Sequence, residues 1–131
     1  EFRRVLFRSY KGKICKFMLQ FKKNIRRTLM LNFEKGYQAN LKAMEYEKNK
    51  DIEKAIEFYE KAISYNFDGN YPYDRLAILY RKRKDYNNEI RVLNKAIKVF
   101  SSIKSDRCDI NPKLEKFKQR LLKAQTLKNK Q

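Results

Sequence analysis

Two stretches decide the fold: DIEKAIEFYEKAISYN at 51–66 and DYNNEIRVLNKAIKVF at 85–100. Asp51 aligns with Asp85, Ile52 with Tyr86, and Lys61-Ala62-Ile63 with Lys95-Ala96-Ile97, at an offset of 34 residues. The segments before them keep the same offset: Ala43 with Ala77, Tyr46 with Tyr80, Lys50 with Lys84. A period of this length with recurring small and aromatic residues suits stacked helical hairpins, because one pair of helices cannot bury its apolar stripe alone.

The spacings within each period are helical. Tyr46, Ala55, Tyr59 and Ala62 fall where a buried seam needs them: alanine where two backbones cross closely, tyrosine filling the space opposite. Asp51 and Asp85 stand where the second helix of each pair begins, and a carboxylate there offsets unpaired N–H groups and the positive helix end. Asn49-Lys50 and Arg83-Lys84 are the expected tight turns. Phe67-Asp68-Gly69-Asn70 links the two pairs, with Gly69 expected to supply a positive φ. Pro72 suits the first turn of the next helix.

These residues resemble the tetratricopeptide repeat. The first repeat supplies the family's small and aromatic positions as Ala43, Tyr46, Ala55, Tyr59 and Ala62, and the second as Leu76, Ala77, Tyr80 and Ala96. Glu89 stands where the family has a small residue and Leu93 where it has an aromatic one, and neither repeat carries the family's closing proline. The resemblance implies an all-α fold, antiparallel helix–turn–helix pairs stacked as a short superhelix. Two repeats are expected, at 36–69 and 70–100, with a linker, a capping helix and a basic tail at 101–131.

In the capping segment, Leu114, Phe117, Leu121 and Ala124 form one stripe, with Asn111 the expected N-cap and Pro112 the first helical residue. Residues 10–35 form a basic segment, expected to be partly helical. Its stripe of Ile14, Phe17, Met18, Phe21, Ile25 and Leu29 lies opposite Lys16, Lys22, Lys23, Arg26 and Arg27. The expectation is that this stripe docks on the first repeat; the alternatives are an interface with a membrane surface or partner groove, or disorder.

Residues 1–9, EFRRVLFRS, fit none of this. They back-translate in one frame to GAG TTC AGA CGT GTG CTC TTC CGA TCT, which resembles the read-two adapter primer of short-read sequencing libraries. They are therefore set aside from the fold. The expectation that goes with this is a natural chain cut at that junction and possessing an upstream domain, so that the sequence is a fragment.

Composition limits the chemistry. The 131 residues include 33 Lys and Arg against 15 Asp and Glu, a net charge of +18. The excess sits at the ends: residues 10–35 hold eight basic and one acidic residue, 36–100 thirteen and ten, 101–131 nine and three. Such ends suit nucleic acid or an anionic surface, although Lys, Asn and Ile codons are A+T-rich and a low-GC genome produces basic surfaces without selection. Histidine is absent, and Cys15 and Cys108 stand far apart, so no metal spacing exists and the thiols read as reduced and cytoplasmic. The three glycines, Gly12, Gly36 and Gly69, cannot form a phosphate loop. No catalytic residue, cofactor, metal or small-molecule substrate is expected, and no stretch is long and apolar enough to span a membrane.

The resemblance implies that function lies on the concave face lined by the first helix of each pair. The implied groove residues are Tyr37, Asn40, Met44, Glu47 and Lys48, then Tyr71, Asp74, Ile78, Arg81 and Lys82. Tyrosine and methionine offer adaptable apolar contact, Asn40 can hold a peptide backbone, and Arg81 with Lys82 can pair acidic groups. Co-chaperone members of the family clamp a C-terminal carboxylate with Lys and Asn where this chain has Asn40 and Met44, so that form of the clamp is missing. The expected function is a non-catalytic protein–protein interaction module, a scaffold binding a peptide or partner protein. The alternatives are a nucleic-acid-associated protein using its basic flanks, or the regulatory part of a truncated enzyme.

Overall fold

A computed structural model describes the backbone of residues 2–104 and 106–131, and side chains from Gly12 onward. The expectation that residues 1–9 stand apart from the fold falls on residue 1 and on residues whose side chains lie outside the described range. The described residues form five helices and no strand: α1 (Phe2–Lys48), α2 (Ile52–Ser64), α3 (Tyr71–Lys82), α4 (Tyr86–Ser101) and α5 (Ile110–Asn129). The chain divides into two units, Glu1–Asn32 and Phe33–Gln131.

In the second unit, each repeat turns by the same chemistry. Lys50 and Lys84 take left-handed backbone, at φ 63° and 57°. Lys50 N–H donates to Glu47 O at 3.0 Å and Asp51 N–H to Tyr46 O at 2.9 Å. Thirty-four residues on, Lys84 N–H donates to Arg81 O and Asp85 N–H to Tyr80 O, both at 2.9 Å. This paired reversal satisfies carbonyls that a helix end leaves open. The aspartates then cap the following helices, Asp51 Oδ1 accepting from Lys54 N–H at 3.3 Å and Asp85 Oδ1 from Asn88 N–H at 3.2 Å.

The link between repeats differs from expectation. Gly69 has no positive φ; the left-handed residue is Asn66, at φ 54°. Glycine is required at 69 for space, because the Phe67 ring occupies the position a Cβ would take. Gly36 serves the same ring from the other side, where an added Cβ would lie 3.0 Å from Phe67 Cβ. Phe67 is thereby buried, with Phe33 5.4 Å away between ring centroids, and its carbonyl accepts from Tyr73 Oη at 2.9 Å.

The core follows the repeat. Ala43, Ala55, Tyr59, Ala62, Leu76, Ala77, Leu93 and Ala96 are fully buried, while Tyr46 is half-buried and stacks on Phe58 at 5.2 Å. Each of α2, α3 and α4 packs on the next helix. Helix α5 closes the stack through Phe117, which meets Phe100 at 5.5 Å and Tyr73 at 6.4 Å, and through Ala124, with Leu114 and Leu121 at the margin. Its start is earlier than expected: the helix begins at Ile110, with Asp109 and not Asn111 at the N-cap. The Asp109 side chain does not cap the backbone; it is held by Arg107 at 2.9 Å and Lys113 at 2.5 Å.

In the first unit the expected stripe forms but is not buried. Ile14, Phe17, Met18, Phe21, Ile25 and Leu29 are all exposed, Phe17 at 70%. In the second unit, burial of α1 begins at Gly36, and the residues that enter the core are Ala39 and Ala43.

Candidate partner-binding groove

Two ion pairs tie together the first helices of successive hairpins. Glu47 on α1 is gripped by Arg75 on α3, whose Nε lies 3.1 and 3.2 Å from the two carboxylate oxygens while Nη2 makes a closer contact. Tyr59 Oη donates to the same carboxylate at 2.8 Å. Burial pushes the Glu47 carboxyl up, but the Arg75 and Tyr59 hydrogen bonds outweigh it and hold the group below the usual glutamate range. Tyr59 moves the other way: burial, reinforced by the carboxylate it faces, keeps its phenol protonated as a donor. On the next pair, Asp74 on α3 binds Arg120 on α5 and accepts from Asn70 Nδ2 at 2.9 Å.

Beside the Glu47–Arg75 contact lies an open groove of about 600 Å³, lined by Leu41, Met44, Glu45, Glu47, Lys48 and Tyr71. Leu41, Met44, Glu45 and Lys48 stand at i, i+3, i+4 and i+7, one face of α1. Tyr71 enters from the first turn of α3, its ring 6.2 Å from that of Tyr59. Leu41, Met44 and Tyr71 are exposed although apolar or aromatic, and Lys48 is exposed beside them. The surface can thus offer about three adaptable apolar contacts with one cation at the edge.

Of the ten residues singled out from the sequence, the structure brings Met44, Glu47, Lys48 and Tyr71 together here. Tyr37 is exposed and stacks on Phe33 at 6.5 Å between centroids. Asn40 is buried, its Nδ2 3.7 Å from Met44 Sδ and its Oδ1 without a protein partner. Asp74 is occupied by Arg120, Ile78 is half-buried and Lys82 is exposed. Arg81 points to the departure in the second repeat: its Nη2 lies 2.5 Å from Oε1 of Glu89, whose side chain is 0% exposed. The approach brings the charges together without hydrogen-bond alignment, since neither Glu89 oxygen has an aligned donor. Leu41 and Glu45 were not singled out. The helical spacing from Met44 and Lys48 carries that signal, but the resemblance points only to the family's own positions.

Residues 39–68 match the family model of the tetratricopeptide repeat. Over these residues the chain is similar to the tetratricopeptide repeat, and the all-helical stack agrees with that likeness. The match spans the C-terminal part of α1, all of α2 and the turn through Asp68. No curated protein and no solved structure matches the chain. Tetratricopeptide repeats generally serve as non-catalytic units of protein–protein interaction. Among the described residues, no group of His, Cys, Asp and Glu is arranged to hold a metal ion, and no helix is long and apolar enough to cross a membrane.

Proposed function

We propose that the protein is a non-catalytic interaction module that binds a peptide segment of a partner protein in the groove between α1 and α3. The observation that carries this reading is the exposed cluster of Leu41, Met44 and Tyr71 beside a carboxylate already neutralised by Arg75. Apolar side chains held open on an ion-paired framework need no reorganisation to receive a ligand, which lowers the cost of binding. Lys48 and Lys82, both exposed, supply the charge for acidic side chains at the edges. Cys15 and Cys108 are exposed and unpaired, which supports a reducing, cytoplasmic setting.

A displayed peptide library selected on the full chain tests the groove. Selected peptides should lose at least about tenfold in affinity, roughly 1.4 kcal/mol, on Met44→Glu or Tyr71→Ala. For acidic peptides, Lys48→Ala with Lys82→Ala should weaken binding more than Lys116→Ala with Lys123→Ala. Peptides that bind all variants alike would refute the groove. Tight oligonucleotide binding that falls steeply with salt and depends on the flank lysines would favour the nucleic-acid reading instead.

A further inference from the structure

The first unit presents a surface that the groove does not use. Between Gly12 and Phe33 the chain has six cations, Lys13, Lys16, Lys22, Lys23, Arg26 and Arg27, and no carboxylate. None of the six pairs with a carboxylate among the described residues, and all are exposed. On the same helix, Ile14, Phe17, Met18, Phe21, Ile25 and Leu29 form an exposed stripe. At about 100° per residue the stripe covers roughly a third of the circumference, with Lys22 and Lys13 at its two margins and Lys16, Lys23 and Arg27 behind it. The remainder is mostly polar, with Cys15 and exposed Leu19 among the cations, Gln20 Nε2 donating to Asn24 Oδ1 at 3.2 Å and Thr28 Oγ1 to Asn24 O at 3.0 Å.

We propose that residues 13–29 of α1 form an in-plane docking surface for an anionic lipid bilayer, with the stripe among the acyl chains and the cations at the headgroups. Three observations select this occupant. Uncompensated positive charge requires a negatively charged counterpart, and lysines at the margins of an apolar stripe have stems long enough to keep their ammonium groups at the water boundary. Four of the six stripe residues are aliphatic or thioether side chains, Ile14, Met18, Ile25 and Leu29, which offer nothing to stack on a base but partition readily into hydrocarbon. A second copy is disfavoured, because Lys13 and Lys22 at the margins of the stripe would set like charges along both sides of the seam. The helix lies on the surface and does not span it, since no helix among the described residues is long and apolar enough for that.

The test uses the full chain and vesicles of phosphatidylcholine, with and without phosphatidylserine. The protein has no tryptophan, so Phe21→Trp gives a single reporter. Its emission should shift to the blue, and become protected from an aqueous quencher, with the anionic vesicles only. Each cation near the surface is worth about 1 kcal/mol, or roughly fivefold. Lys13→Ala with Lys22→Ala should therefore weaken vesicle partition by about 25-fold. Phe17→Ser with Ile25→Ser should abolish the protection while all six charges remain. Because these side chains are exposed, the thermal midpoint should not move. Met44→Glu should leave vesicle binding intact, which separates this surface from the groove. Three results would overturn the proposal: no partition into anionic vesicles, oligonucleotide binding that survives Phe17→Ser with Ile25→Ser, or a concentration-dependent dimer that the same change abolishes.

Discussion

Replacing Arg81 with alanine should destabilise the protein more than replacing its partner Glu89. The asymmetry comes from where each end of the pair sits. Glu89 is 0% exposed, whereas the Arg81 side chain is 29% exposed and can reach water. Removing one member of a buried pair costs about 3–5 kcal/mol, because the remaining charge stays desolvated. Here the guanidinium is partly solvated and not aligned for hydrogen bonding, so about 2–3 kcal/mol is the reasonable figure for Arg81→Ala. Glu89→Ala removes the buried charge, restores the small residue usual in the repeat, and frees Arg81 to extend into solvent. Its cost should stay near 1 kcal/mol, mostly lost packing. The double variant should resemble Glu89→Ala, giving a coupling of at least about 1 kcal/mol. Arg81→Lys should retain much of the stability, since the contact is one of charge and not of a bidentate fork. Urea unfolding with the slope held constant measures all four variants. An Arg81→Ala protein within about 0.5 kcal/mol of wild type would refute the reasoning, because the carboxylate would then need some other counter-charge.

The left-handed lysines give a second expectation. Lys50→Gly and Lys84→Gly should each stabilise by about 0.5–1 kcal/mol, as glycine takes positive φ without a Cβ clash; a loss of stability in urea melts would mean that the lysine side chains contribute more than the turn costs. The third concerns acid. Glu47 is held below its ordinary value of 4.5, so it contributes stability above that pH and loses the contribution as pH falls toward the depressed value. Glu47→Gln should be less stable than wild type at neutral pH and show a flatter acid limb below about pH 4.5, checked by thermal midpoints across pH.

The repeat was legible because burial and capping both follow the 34-residue period. Ala62 and Ala96 are both fully buried, and Asp51 and Asp85 both cap, so local chemistry and packing agree at these aligned positions. The turns were placed correctly, but their geometry was not. Lysine carries no sign of left-handed backbone, and Gly69 was read for the freedom it has when it is needed for the space it leaves. The start of α5 was misplaced for a related reason. Pro112 marks a first turn only approximately, and the Asp109 carboxylate is drawn to Arg107 and Lys113 and away from the helix N–H groups. Partners distant in sequence were not legible: Arg75 for Glu47 and Arg120 for Asp74 lie one hairpin away and follow no shared spacing.

Those distant partners change what the candidate groove can do. A sequence reading takes Glu47, Asp74 and Arg81 as charges offered to a ligand. Each is instead matched within the protein, by Arg75, Arg120 and Glu89. A ligand that competed for one of them would have to break an internal pair and desolvate its own charge, which rarely yields net affinity. The side chains left available around α1 and α3 are Leu41, Met44 and Tyr71, with Lys48 and Lys82 at the edges. The ion pairs therefore belong to the framework: they link α1 to α3, and α3 to α4 and α5, the arrangement on which an apolar contact surface depends. Selectivity should accordingly follow the shape and apolar content of the peptide first and its charge second. Peptides selected on the wild-type protein should share a hydrophobic anchor, and Met44→Glu should cost them more affinity than Lys48→Ala with Lys82→Ala. The reverse order would mean that charge, and not the exposed cluster, governs recognition.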